Sequence, residues 1–127
     1  MISTKAYIYS TLSTDVALLA LIGDATHISN FMPEVVSVFP MVAFQDLNQV
    51  DFEFSDNMPI GSSADVQIDI YVKANAGAKT TWDIGSRVYA LMSDKFFACK
   101  YNGEVPDPTE GVRHRIMRFS REFFRGE

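Results

Sequence analysis

The chain is 127 residues long, 47% hydrophobic, 21% charged and 13% aromatic, a composition that excludes a disordered or collagen-like chain and predicts one domain over residues 1–127 with a core of its own. The longest apolar stretch, Val16 to Ile22, is too short to cross a bilayer, no secretory leader pattern opens the chain, and no membrane partner is expected. The net charge of −5 argues against strong nucleic-acid binding, and the single cysteine, Cys99, excludes an internal disulfide and a cysteine-built zinc site.

The charge is unevenly spread. Residues 1–72 hold one lysine against nine acids, a net −8, whereas residues 73–127 hold ten basic residues against seven acids, a net +3. Folding can mix two such halves. It can also set them on opposite surfaces that dock head to tail.

In chain order, a helix is predicted over residues 3–22. Ser3 or Thr4 caps it, a break or kink falls near Ser13 as a second cap, Asp15 sits in the following first turn, and Gly23 is the stop. Pro33 and Pro40 exclude a long helix over 26–39, where a short strand at His27 to Phe31 is expected. From Met41 the period becomes two. Val42, Phe44, Val50, Phe52 and Phe54 are all even-numbered and are predicted to share one face, with Gln45, Gln49, Asp51 and Glu53 opposite. Ser55 to Gly61 has the chemistry of a turn. The alternation resumes with Ala64, Val66, Ile68, Ile70 and Val72 on the buried side, and Asp65, Gln67, Asp69, Tyr71 and Lys73 on a solvated one. A second helix is predicted over 76–93, capped by Asn75, with Thr81, Ile84, Gly85, Val88, Leu91 and Met92 inward and Gly85 allowing close approach to the sheet. A short strand at Phe96 to Tyr101 and turns at Asn102-Gly103 and Pro106 to Gly111 follow. A last strand, Val112 to Phe124, shows two conflicting parities that a bulge near Ile116 would reconcile. The expected fold is α+β: an antiparallel or mixed sheet with a long projecting β-hairpin and two main helices packed on one face.

The hairpin's length has a consequence. A compact chain of this size is roughly 36 Å across, while a strand from Val42 to Phe54 reaches about 43 Å. Its tip is expected to project, leaving Val50, Phe52 and Phe54 to be covered by another subunit. The other reading has Asp46 to Asn48 as a turn that splits the strand into two short pieces.

No phosphate-binding glycine loop, dinucleotide fingerprint or nucleophile elbow is present. His27 and His114 lack metal-ligand spacing and read as structural, Cys99 as a small core residue, and Asp65 and Asp69, about 13 Å apart on one strand, as part of the solvated face. No enzyme, cofactor or metal is expected. The remaining feature is Arg113, Arg115, Arg118, Arg121 and Arg125, interleaved with Met117, Phe119, Phe123 and Phe124. It reads as a protein interface or as an outer strand face paired with neighbouring acids; a small nucleic-acid-binding or regulatory module is the alternative function. The acids Asp51, Glu53 and Asp56 beside Phe52 and Phe54, with Asp65 and Asp69 further along, would meet Arg113, Arg115, Arg118 and Arg121 of an adjacent subunit.

Four stretches in order, Ile8 to Gly23, Phe39-Pro-Met-Val-Ala-Phe-Gln45, Asp65-Val-Gln-Ile-Asp-Ile-Tyr-Val-Lys73 and His114-Arg-Ile-Met-Arg-Phe119, resemble the tail-completion (tail-to-head joining or tail-terminator) proteins of long-tailed bacteriophages. The resemblance implies a structural virion protein of a phage or prophage, assembled in the host cytoplasm. It implies a homo-oligomeric ring, a hexamer, on the tail tube protein that stops tube growth and joins the head connector protein. DNA is then only passing cargo, and neither catalysis nor a cofactor is implied.

Overall fold

Helices form where apolar spacing and caps coincide. The computed structural model describes residues 4–30, 39–55, 58–74, 80–106 and 111–124; the side chains of residues 49 and 51–60 lie outside that description. Helix α1, Thr4–Ser13, buries Ile8 and Leu12 four residues apart, and α2, Val16–Ile22, buries Leu18 and Ile22 at the same spacing. The break between them is as predicted, but Asp15, not Ser13, caps α2: its carboxylate accepts the Leu18 N–H at 2.8 Å. Gly23 ends α2 with a φ of 113°, a backbone glycine adopts without strain. Helix α3, Thr81–Asp94, starts from Thr80 through a capping box with Asp83. The expected cap, Asn75, lies outside the described residues.

Asp15 also joins two helices. Arg87 of α3 donates to both its oxygens, Nε at 2.8 Å and Nη2 at 2.6 Å. This bidentate pair, first, and the Leu18 N–H hold the carboxyl below its ordinary 3.8 despite the opposing effect of burial. Replacing Asp15 by alanine should cost about 1–2 kcal/mol at neutral pH. A depressed folded-state pKa gives stability that is present above the unfolded value and lost as pH falls through the folded one. Urea titrations of parent and variant should therefore converge in strong acid; a gap that is independent of pH would refute the ion pair.

The strands form one sheet in the order β1-β2-β3-β5-β4. They are β1 Ile28–Asn30, β2 Met41–Ser55, β3 Met58–Lys73, β4 Ala98–Val105 and β5 Val112–Phe124. Only β1–β2 is parallel, so the sheet is mixed and the fold α+β. All three helices contribute to one core with the inward residues of β2, β3 and β5, including Phe44, Ile68 and Phe119. Gly85 performs the expected role: a Cβ there would lie 3.0 Å from Arg115 Cδ and 3.6 Å from Met117 Sδ of β5.

Four expectations need correction. First, β2 does not keep one parity. Its register against β3 shifts between Asp46 and Asn48, so Leu47 is an extra, bulged residue. Before it Phe44 pairs with inward Ile68; after it Val50 pairs with Ser63 and is 51% exposed. The even-numbered residues therefore do not share a face across the bulge. Asp46 to Asn48 form neither a turn nor a strand break.

Second, β5 has no bulge near Ile116: its register with β3 runs unbroken from Gly61↔Phe124 to Lys73↔Val112. Its two parities serve two faces. Met117, Phe119 and Phe123 meet the helices, while Val112 packs with Met41, Ala43 and Tyr71 on the reverse face. Third, Asn102-Gly103 is not a turn but lies within β4, with Gly103 opposite Ile116; pairing along β5 overrides the local turn preference. Fourth, the polar face of β3 is not solvated throughout, since Asp69 is 0% exposed and Gln67 and Tyr71 are buried.

Candidate functional site

The reverse face of the sheet carries a polar network that the alternation alone does not reveal. Asp69 Oδ1 accepts from Gln67 Nε2 at 2.8 Å, and His114 Nε2 sits 2.6 Å from Asp69 Oδ2. Arg118 Nε donates to Gln67 Oε1 at 3.0 Å. The His114 ring stacks on Tyr71, with centroids 4.3 Å apart and planes at 16°. The cross-strand register creates this network, since Gln67 faces Arg118 and Tyr71 faces His114. No buried side-chain nitrogen or oxygen among the described residues lacks a hydrogen-bond partner, so the network fastens β3 to β5. His27 is also structural, its Nδ1 lying 2.7 Å from the Pro40 carbonyl.

The arginines of β5 are divided between environments. Arg113 pairs with Glu104 at 2.6 Å. That partner, first, and Thr81 hold the Glu104 carboxyl below its ordinary value. Arg115 donates to Asn102 Oδ1 at 2.9 Å and lies over the Trp82 ring. Arg121 donates to the Tyr7 hydroxyl and the Lys95 carbonyl, each at 2.9 Å, with its guanidinium 4.1 Å from the Phe123 ring centroid. These three share the parity of Met117 and Phe119, whereas Arg118 shares that of His114 and belongs to the other face. Each of the three is engaged within the subunit, Arg113 by Glu104, Arg115 by Asn102 and Arg121 by Tyr7 and Lys95.

The hairpin residues fall at defined register positions: Asp51 opposite Ser62, Phe52 opposite Gly61 and Phe54 opposite Pro59. Their side chains and that of Glu53 lie outside the description, as does Asp56. Cys99 is half-buried against the core, with Sγ 3.4 Å from the Tyr101 carbonyl. No group of three or more His, Cys, Asp or Glu among the described residues is placed to hold a metal, and no described helix is long and apolar enough to cross a membrane.

Large side chains stand out from this frame at the surface. Trp82 and Tyr89 lie on the outer stripe of α3, and Phe96 and Phe124 flank the start of β4. Trp, Tyr and Arg are the residue types that concentrate binding energy at protein interfaces.

Comparison with known proteins gives the family. Residues 6–121 match the family described as tail completion protein gp17. The chain belongs to that family. It is a structural protein of the phage tail, placed in the virion, and not an enzyme. The four stretches that carried the resemblance all fall within or overlap the matched residues. In fold, this tail completion family member is similar to a chain from the virion of a native gene transfer agent particle. The two share 17% identity with a TM-score of 0.67, over 94% of this chain and 93% of that one. At that identity the likeness is one of fold. No individually curated protein matches the sequence.

Proposed function

We propose that copies of this chain close into a ring, a hexamer, on the end of the tail tube. The ring ends tube growth and offers its other face to the head connector protein, while DNA passes through the middle. The single observation that carries this reading is the match to a tail completion family across residues 6–121. The uneven charge supports it: each joint in a ring sets one surface against a different surface of the next subunit, so unlike halves can meet at every joint.

Deleting the gene should leave filled heads and tail tubes but no joined virions, with tubes of uncontrolled length. Electron microscopy of lysates reads this directly. Normal joined virions would reject the role. A ring joined partly by charge should also loosen with salt, since exposed pairs contribute only about 0.2–1 kcal/mol each and are screened. Light scattering that shows the same ring at low and high ionic strength would remove charge from the joint.

A further inference from the structure

Helix α3 ends in an unusual way. The Phe96 N–H donates to the Ser93 carbonyl at 3.0 Å and the Phe97 N–H to the Met92 carbonyl at 2.9 Å, the hydrogen bonds of a Schellman motif. The residue just past the cap must then take a left-handed backbone, a position that glycine fills without strain. Here it is Phe96, at a φ of 66°. Its ring is 80% exposed. The motif's apolar contact comes from Phe97 against Met92, both in the core, and does not use Phe96. The subunit therefore carries both a strained backbone and a largely exposed aromatic ring, a combination that points to use by a partner.

The ring forms one wall of an open groove of about 640 Å³, lined also by Lys100, Ser120, Arg121, Glu122 and Phe124. Arg121, fixed by Tyr7 and Lys95, lies 5.6 Å from the Phe96 centroid. The groove thus offers aromatic walls around two cations and one acid.

We propose that this groove receives residues 51–60, the end of the β2–β3 hairpin, of a second copy of the chain, an inference that rests on the ring reading above. The chemistry of the occupant is complementary. Residues 51–60 contain Asp51, Glu53 and Asp56 between Phe52, Phe54 and Met58, and no Lys or Arg occurs between Lys5 and Lys73. Acids alternating with apolar residues suit cations set between aromatic walls. Donor segment and acceptor groove are different surfaces, so the contact repeats head to tail and can close.

Phe96→Gly removes the ring and relieves the backbone together. The variant should melt at or above the parent's temperature, yet its ring formation should weaken by at least about tenfold. A donor-defective partner, Asp51→Lys with Glu53→Lys, should also fail to form rings. Mixed one to one, the two variants retain one good joint between them, so sedimentation should show a heterodimer and no ring. A Phe96→Gly protein that assembles like the parent, or that melts well below it, overturns the proposal while leaving the ring reading intact. The absence of a heterodimer overturns the choice of a second copy as occupant. If the parent forms no ring alone or on tail tubes, the ring reading itself fails and this proposal goes with it.

Discussion

Replacing Asp69 by alanine should destabilise the subunit by about 1–3 kcal/mol for each hydrogen-bonding partner it leaves buried without an acceptor. The carboxylate is 0% exposed, and each of its oxygens has a partner, one Gln67 and the other His114. Alanine would leave both partners facing a cavity without an acceptor. Against a typical total of about 5–15 kcal/mol, that loss takes a large share of the folding equilibrium. Asp69→Asn keeps the volume and one acceptor oxygen and should cost clearly less. In a double-mutant cycle with His114→Ala the two losses should fall short of additivity, because each change disrupts the same contact. Urea titration measures all of these. A loss below about 1 kcal/mol for Asp69→Ala, or full additivity in the cycle, would show that the network does not hold the sheet.

The same residues show where sequence reasoning reached and where it stopped. On β3, five apolar residues at alternate positions determine which side meets the helices, and the structure buries all five. Their alternates looked like a wet face because Asp65, Gln67, Asp69 and Lys73 are polar. Polarity predicts exposure only when no neighbour supplies hydrogen bonds. The neighbour that does so, β5, is more than forty residues away in the chain, and its two parities are the trace of its serving both faces of the sheet, the helix side and the reverse side.

The start of α3 at Thr81 is weakly marked in the sequence for a related reason. Asn75 and Thr80 are both competent caps, and only the reciprocal Thr80–Asp83 geometry distinguishes them. Phe96 left no signal, because its left-handed backbone follows from how α3 enters β4 rather than from its own preference. Of the residues chosen from sequence as an interface, Arg121 lines the groove beside Phe96, whereas Arg118 belongs to the reverse face. Equal spacing along a strand does not distinguish those environments when the strand contributes to both faces of the sheet.

The bulge at Leu47 supplies a sharper test, because deletions of one residue should have opposite outcomes at two sites in the same hairpin. Deleting Val66 from the middle of β3 should abolish folding. β3 is paired on both sides, and its register with β5 has no irregularity to absorb the loss. A slip by one residue exchanges the two faces of everything on one side of the gap. On the Lys73 side, Ile68, Ile70 and Val72 would leave the core and Asp69 would enter it. Exposing three such side chains forfeits about 1.5–3 kcal/mol each, and burying the carboxylate without its partners adds several more, together matching or exceeding the stability of a typical domain. Deleting Leu47 should instead be tolerated. Leu47 is the extra residue: Asp46 pairs with Val66 and Asn48 with the adjacent Asp65, so its removal leaves a regular ladder with both flanking registers unchanged. Its side chain is itself exposed, so little burial is lost. Circular dichroism and urea titration of the two deletions provide the comparison. A folded Val66 deletion, or a Leu47 deletion that costs as much as a lost core side chain, would show that the register of β2 on β3 is not the one described.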